Sequence, residues 1–566
     1  MPVCSPVPAV DIPPVDVTTL LFGRGADLPA GREDAPLLVD GHTGDSLTLS
    51  ALKQMAESVA AALAARGFSL DAGSVASDGR GRVAAVYSPP DIRFSAVHFG
   101  TLAAGGTYTA IDPALDTEQA AARLKEGGVS VVFAAPDLVP RLLDAMAAAG
   151  ADIPASNIIL LRGSSLLHPS IDALDRVPPG TMLGALAGAG PALAERVALI
   201  SYSSGTTGPP KGAMLTHRNI VAMWAVVGSY SPRRTGAAAP PAGKQKRTLS
   251  ALGPWHIYGH CTLCYQPFGA GDCVVQLREF DVAGYLAAIE RYRIDHLNAT
   301  PRYLLELFAG SRACGAGRVA TKTQPAREFD IGSVRSLVCG GAPLGPHLRA
   351  RYSDYFGGVP IFSGYGQVET SSAIGGVSWR RPAPGAVGVL YPNSTAKVVD
   401  RDGRETTGYG ELCVAGPHVM RGYVGRPAAE HTDGDGFIRT GDCARLDGDG
   451  NIFLRGRVAD VIHAAGGPLY PTEIEGVLDE HPAVGDVAVV GSGPDGHAQP
   501  VAFVAVVPSQ DADADADADA RLRDVERWAR ERLGIPVRCR AIAAIPRTPA
   551  GKKLRHQLRA LLDAAP

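Results

Sequence analysis

Ser203 to Gly212 read SSGTTGPPKG, set between the apolar VALISY of Val197–Tyr202 and the helical pattern AMLTHRNIVAMWAVVG. Such small residues bury little area, so a packed core is a poor use for them. They offer hydroxyls, unobstructed backbone N–H groups and one cation, Lys211. That inventory suits an anion, above all a polyphosphate. A strand–loop–helix setting is the one phosphate cradles use. The GxxxxGK[ST] spacing of a Walker loop is absent, so the cradle is of another kind.

The elements that must hold this loop follow from the flanking patterns. RVAAVYSP (Arg82–Pro89), VSVVFAAP (Val129–Pro136) and NIILLRG (Asn157–Gly163) read as buried strands. Between them, Asp91–Gly106 reads as a helix closed by glycine, and Leu138–Ala149 as another. Such alternation predicts βαβ units and a mostly parallel sheet. Around residue 385 the texture changes. Ala396–Pro417 and Ala444–Arg457 are strand–turn–strand patterns with Asp-Gly turns, which predict a smaller antiparallel sheet or barrel. After Arg457, helices and strands alternate in a compact unit of about one hundred residues, the size of a separate domain. Arg233–Arg247 and Gly310–Ala326 read as flexible surface insertions, and the low-complexity DADADADADA of Asp511–Ala520 as a mobile segment.

Further strings recur in a fixed order: LGPWHIYGH (Leu252–His260), GGAPL (Gly340–Leu344), GYGQVET (Gly364–Thr370), FIRTGD (Phe437–Asp442), RGRVAD (Arg455–Asp460) and PRTPAGKKLRHQLR (Pro546–Arg559). Singly, an Asp after Thr-Gly is a turn residue, and Gly-Lys-Lys near a C-terminus a solvated patch. Together with YSSGTTGPPKG they resemble the signature of the adenylate-forming superfamily: acyl-CoA synthetases, 4-coumarate–CoA ligases, luciferases and peptide-synthetase adenylation domains. The 4-coumarate–CoA ligases are closest in look. The resemblance implies an AMP-forming ligase that joins a carboxylate to ATP and then passes the acyl group to a thiol. It implies that Ser203, Ser204, Thr206, Thr207 and Lys211 hold the β- and γ-phosphates, with Gly205 and Gly208 in the same loop. Gly341, Ala342 and Pro343 would lie on the adenine side, as would Tyr365, with Gly366 and Gln367 beside the nucleotide. Glu369 would bind Mg2+, Asp442 both ribose hydroxyls, and Arg457 ribose and phosphate. Lys552 would bridge the reacting carboxylate and the α-phosphate. His256 would stand between nucleotide and acyl sites, and Tyr258, Gly259, Val338, Gly340, Gly364 and Val368 would line the substrate pocket.

The departures from that pattern are specific. Val368 stands where the family has a threonine that contacts phosphate, and valine has no hydroxyl. The hinge position, commonly Asp or Lys, is Ala459. Beyond it, coumarate ligases read Lys-Tyr-Lys-Gly-Phe-Gln, whereas this chain reads His463-Ala464-Ala465-Gly466-Gly467-Pro468. Val338 replaces a pocket lysine. Two acceptors therefore compete with CoA on the same ATP-activating fold: an amine, forming an amide, or nitrite, in the diazotisation of an aryl amine.

The implied architecture is α/β: a large N-terminal domain (1–458) of two α/β sheet subdomains plus a small β-barrel subdomain, then a small mobile α+β lid (459–566). The bulk numbers agree with two or more domains, since 566 residues exceed one core. A net charge of −3 gives no electrostatic case for nucleic acid or an anionic membrane. Nine scattered cysteines without zinc-finger spacing read as buried free thiols in a reducing compartment. The first residues lack a basic n-region and a long apolar run, so the expected location is cytoplasmic.

Overall fold

A computed structural model describes residues 2–23, 34–178, 180–183, 191–203, 210–229, 244–269, 271–315, 317–342, 344–376, 382–427, 430–494, 497–507, 514–548 and 551–563. The predicted βαβ alternation is there. Ile158–Leu160, Val129–Ala134, Val83–Tyr87, Thr107–Ile111 and Val197–Tyr202 lie side by side and parallel, and Gly212–Thr216 and Gly422–Tyr423 close the sheet antiparallel. Helix Phe94–Ala103 is apolar on all sides and buried along its whole length, as such a helix must be. Gly105 ends it at φ +76°, where an added Cβ would sit 2.3 Å from the Ser69 carbonyl oxygen.

A second sheet contains the strands that reach the site. Ile361–Tyr365, Ser336–Cys339, His296–Ala299, Arg247–Ser250, Cys273–Gln276 and Pro36–Asp40 run parallel. At Tyr365 this sheet turns antiparallel through Gly375–Gly376 and Gly388–Leu390 into Asn451–Arg457, Ile438–Leu446, Gly410–Ala415 and Thr395–Val399. The antiparallel strands expected after residue 385 are thus hydrogen-bonded onto the parallel sheet's edge. The turns Asp402-Gly403 and Asp449-Gly450 carry glycines at φ +79° and +74°, the left-handed geometry these hairpins require.

Two of the expected loops are ordered elements. Gly310–Ala326 contains the antiparallel pair Ser311–Gly315 and Arg318–Thr321, joined by Glu328–Asp330, because Val319 and Phe329 bury against the second sheet's helices. The Asp-Ala run enters helix Ala514–Leu533 from Ala514 onward. Alanine propagates helix readily once Leu522, Val525 and Ala529 have docked the following turns. Residues 511–513, and 230–243 of the other predicted insertion, lie outside the described residues.

The C-terminal unit has its own core. Strands Val484–Ser492 and Gln499–Val506 pair antiparallel, Arg538–Ala541 adds parallel, and helix Pro471–Leu478 packs through Ile474 and Leu478 on Val487, Val489 and Val504. Among the described residues no helix is long and apolar enough to cross a membrane. All nine cysteines are free, five of them buried.

Candidate active site

Strand Ile361–Tyr365 ends at a cavity of about 940 Å³, and the turn after it lines that cavity with three of the implied residues, Gly366, Gln367 and Val368. The turn closes only because residue 366 is glycine, since a Cβ there would lie 2.2 Å from the Ser372 carbonyl oxygen. Thr370 locks it from inside: fully buried, its hydroxyl accepts from the Gln367 N–H at 3.1 Å. Thr370 therefore cannot supply the hydroxyl missing at Val368, which lines the cavity.

Asp442 and Arg457 face each other across the hairpin Ile438–Leu446/Asn451–Arg457. Arg457 Nε lies 3.1 Å from Asp442 Oδ1, and its Nη1 donates to the Thr440 carbonyl at 2.8 Å. Tyr365 and Gln367 both donate to Asp442 Oδ2, at 2.7 and 2.6 Å. Burial and the Asp442 charge push the Tyr365 hydroxyl well above its ordinary value, so it remains a donor. Oδ2 is filled by its two donors, whereas Oδ1 faces Arg457 alone and keeps a second lone pair, so Asp442 is oriented by protein donors and still able to accept from a ligand there.

The loop expected to hold phosphate begins and ends in one place: Ser203 donates through both N–H (3.0 Å) and Oγ (3.4 Å) to the Lys211 carbonyl. Ser204, Gly205, Thr206, Thr207 and Gly208 lie outside the described residues, as does Pro343. The Lys211 ammonium stands 5.1 Å from the centre of the Tyr423 ring. The Tyr423 hydroxyl donates to Glu369 Oε1 at 2.7 Å. Glu369 Oε2 has no hydrogen-bond partner among the described residues. A carboxylate oriented through one oxygen, with a lysine beside it, fits a Mg2+–phosphate pair.

The expected pocket residues His256, Tyr258 and Gly259 sit on the segment Leu252–Gly269, which is hydrogen-bonded to strands His296–Ala299 and Ser336–Cys339 through Tyr258 and Gln266. Gly259 permits this, since a Cβ would stand 2.3 Å from the Gly253 carbonyl oxygen. Tyr258 crosses to the sheet and donates to the Val338 carbonyl (3.1 Å) and Asn298 Oδ1 (3.3 Å). Asn298 Nδ2 in turn donates to Gln266 Oε1 at 2.8 Å and Thr262 Oγ1 at 3.3 Å. Gly340, Gly341 and Gly364 line the same cavity, and Ala342 follows half-buried. His256 Nε2 is buried without a partner, and burial, then the Lys552 charge, pulls its pKa down to about 4.

Lys552 comes from the other domain and lines this cavity. Its backbone N–H donates to Thr548 Oγ1 at 3.1 Å, and its carbonyl accepts from the Thr548 N–H at 2.8 Å. Burial, then the Arg457 charge, lowers its pKa, opposed by Asp442 and Glu369. The chain thus brings His256 and Lys552 to one cavity, with Arg457, Asp442 and Glu369 near enough for their charges to act on Lys552. Sequence reasoning missed Tyr423, Asn298 and Gln266. Tyr423 had a weak signal as the aromatic in MRGYVG, next to a glycine at φ +151°. Asn298 is one amide within a buried strand and had none.

Residues 27–424 match the family described as AMP-binding enzyme, and residues 473–552 match the AMP-binding enzyme C-terminal domain. The chain belongs to the AMP-binding enzyme family. This AMP-binding enzyme is 30% identical over 583 residues to 4-coumarate–CoA ligase-like 6 of Oryza sativa subsp. japonica, covering 98% of the chain and 89% of the relative. Two solved structures share its fold. ATP-bound MatB from Rhodopseudomonas palustris superposes with TM-score 0.73 at 24% identity, over 96% of this chain and 99% of MatB. The amide bond synthetase McbA from Marinactinospora thermotolerans gives 0.71 at 25%, with the same coverage. The protein is an ATP-dependent, adenylate-forming enzyme of the acyl-CoA ligase kind.

Proposed function

We propose that this enzyme adenylates an aryl or arylacrylic acid of the cinnamate or coumarate kind, with residues 1–458 as adenylating domain and 459–566 as lid, and passes the acyl group to CoA. The observation that carries the reading is Lys552, delivered from the small domain into a cavity walled by His256 and close enough to Arg457, Asp442 and Glu369 to be shifted by their charges. A substrate carboxylate oxygen attacks the α-phosphorus, the bond to the bridging oxygen breaks, and pyrophosphate leaves. The Lys552 ammonium, between the two anions, offsets the charge that concentrates there, and exclusion of water strengthens it. His256, neutral at physiological pH, adds no positive charge and leaves that work to Lys552. Mg2+ at Glu369 would supply charge neutralisation on the departing phosphates.

Tyr258, Val338 and Phe362 offer a ring apolar walls, and the Tyr258–Asn298–Gln266 relay offers a ring hydroxyl or amino group a partner. In the second half, the CoA thiol attacks the acyl carbonyl and AMP leaves. At Gly466 no atom lies within 4 Å of a would-be Cβ, room for a thiol-bearing arm.

The likeness to an amide bond synthetase, with Val368, Ala459 and His463, favours a second reading in which the acceptor is an amine, or nitrite for an aryl amine of the aminocinnamic type. One experiment separates them: mass spectrometry of MgATP reactions with cinnamic, benzoic and aminoaryl acids, each run with CoA, an amine or nitrite. An acyl-CoA mass with AMP supports the first reading; AMP appearing only with amine or nitrite supports the second. In either case Lys552→Ala is expected to abolish AMP release, and unchanged release would overturn the role of Lys552.

A further inference from the structure

The chain presents two consecutive lysines, Lys552 and Lys553, and only one lines the cavity. Lys553 forms an antiparallel bridge with Arg547, so this stretch is extended and successive side chains leave on opposite sides. Lys553 Nζ lies 2.7 Å from Glu475 Oε2, inside the small domain. Glu475, on helix Pro471–Leu478, is itself buried. Its Oε1 takes Arg555 Nη2 at 2.7 Å and the Val489 N–H at 2.8 Å. The other end of the loop is tied as well: Arg547 pairs with Asp486 at 2.7 and 2.9 Å and donates to the Gly551 carbonyl at 2.8 Å.

A buried carboxylate between two cations gives little net stability, because desolvation offsets most of the attraction. What it does enforce is direction. We propose that Glu475 is a positioning residue for Lys552: by holding Lys553 and Arg555 within the small domain, it decides which of the two lysines reaches the reacting carboxylate. The proposal rests on the reading of Lys552 given above.

The test uses the full-length enzyme with the acid and acceptor that give turnover. Glu475→Gln is expected to lower kcat for AMP formation by about tenfold to a hundredfold, the cost of misplacing a reacting group by about an ångström, with KM for ATP within about twofold. Competitive labelling with an amine-reactive reagent, read by peptide mass spectrometry, should favour Lys552 over Lys553 in the parent. In the variant, labelled at a temperature where circular dichroism shows it folded, the two should approach equality. Lys553→Met should reproduce the kcat loss, and it answers the question if Glu475→Gln does not fold. A kcat within about twofold of the parent, or a loss of kcat with unchanged labelling, would overturn the proposal. Should Lys552→Ala retain activity, the reading of Lys552 fails; should it be inactive while Glu475→Gln and Lys553→Met turn over normally, only the positioning role fails.

Discussion

Glu369 and Asp442 are both held by protein donors before any ligand arrives, and each arrangement makes a ligand group's position a consequence of neighbouring side chains. Tyr423 matters most beside the loop expected to hold phosphate, because it orients Glu369 through a 2.7 Å bond and lies under Lys211. A hydrogen bond to a charged acceptor contributes about 1.5 kcal/mol or more, roughly tenfold in an equilibrium constant. Tyr423→Phe is therefore expected to raise the apparent Kd for MgATP by about tenfold while leaving thermal stability near that of the parent. Titration of ATP with and without Mg2+ checks it: an effect confined to the Mg2+-containing series is the expected outcome. An equal effect in both series would mean that Tyr423 acts on the nucleotide directly.

The turn carrying Lys552 shows how an element sets a residue's reach. Gly551 has φ +87°, and a Cβ there would lie 2.9 Å from Arg302 Cβ, on the helix Pro301–Gly310 of the large domain. An L side chain in this region costs roughly 1–2 kcal/mol before any clash, and the clash must push the turn off the helix. Gly551→Ala is expected to reduce adenylation by about tenfold or more, measured as pyrophosphate release, while the small domain keeps its fold by circular dichroism. Activity equal to the parent's would show that docking on Arg302 does not set the reach of Lys552. At the expected hinge position, Asp460 is bound by Arg555 and Arg559, and the Ala459 carbonyl accepts from Arg559 at 3.2 Å. Helix Arg555–Asp563 thus ties down the segment Ala459–Asp460.

Across the whole molecule, two domains meet over one cavity, and the interface includes Arg455 against Tyr409 and Tyr470 at 3.7 and 4.5 Å from the ring centres. The interior also stores a set of neutral histidines. Burial holds His98 well below its ordinary value, His217, His256 and His418 at about 4, and His260 at about 3. In the unfolded chain each takes up a proton near pH 6.5. Between about pH 6.5 and 4 the unfolded state therefore binds more protons, and stability falls as pH falls. The melting temperature is expected to be flat above pH 7 and to drop progressively from pH 6.5 toward 4.5. A constant melting temperature from pH 7 to 5 would show that these rings are protonated in the folded protein.

Much of this protein was legible in its residues alone. Buried strands and apolar helices announce themselves by hydrophobic pattern, and the glycine–hydroxyl–lysine loop by chemistry that a core cannot use. The order of the motifs groups Asp442, Arg457, Glu369 and Lys552 as one expected set, and the fold places the first three near enough for their charges to act on Lys552. Gly310–Ala326 and the Asp-Ala run misled for a physical reason: small polar residues read as loop, yet each run is held by a few buried side chains that pattern averages away. Tyr423, Asn298 and Glu475 were hidden because their significance lies in partners 54, 40 and 78 residues distant. Which of two adjacent lysines enters the cavity is a question of strand alternation and a buried ion pair. Local sequence sets the types of residue available to the site; only tertiary packing, by closing those long loops, decides where each one points.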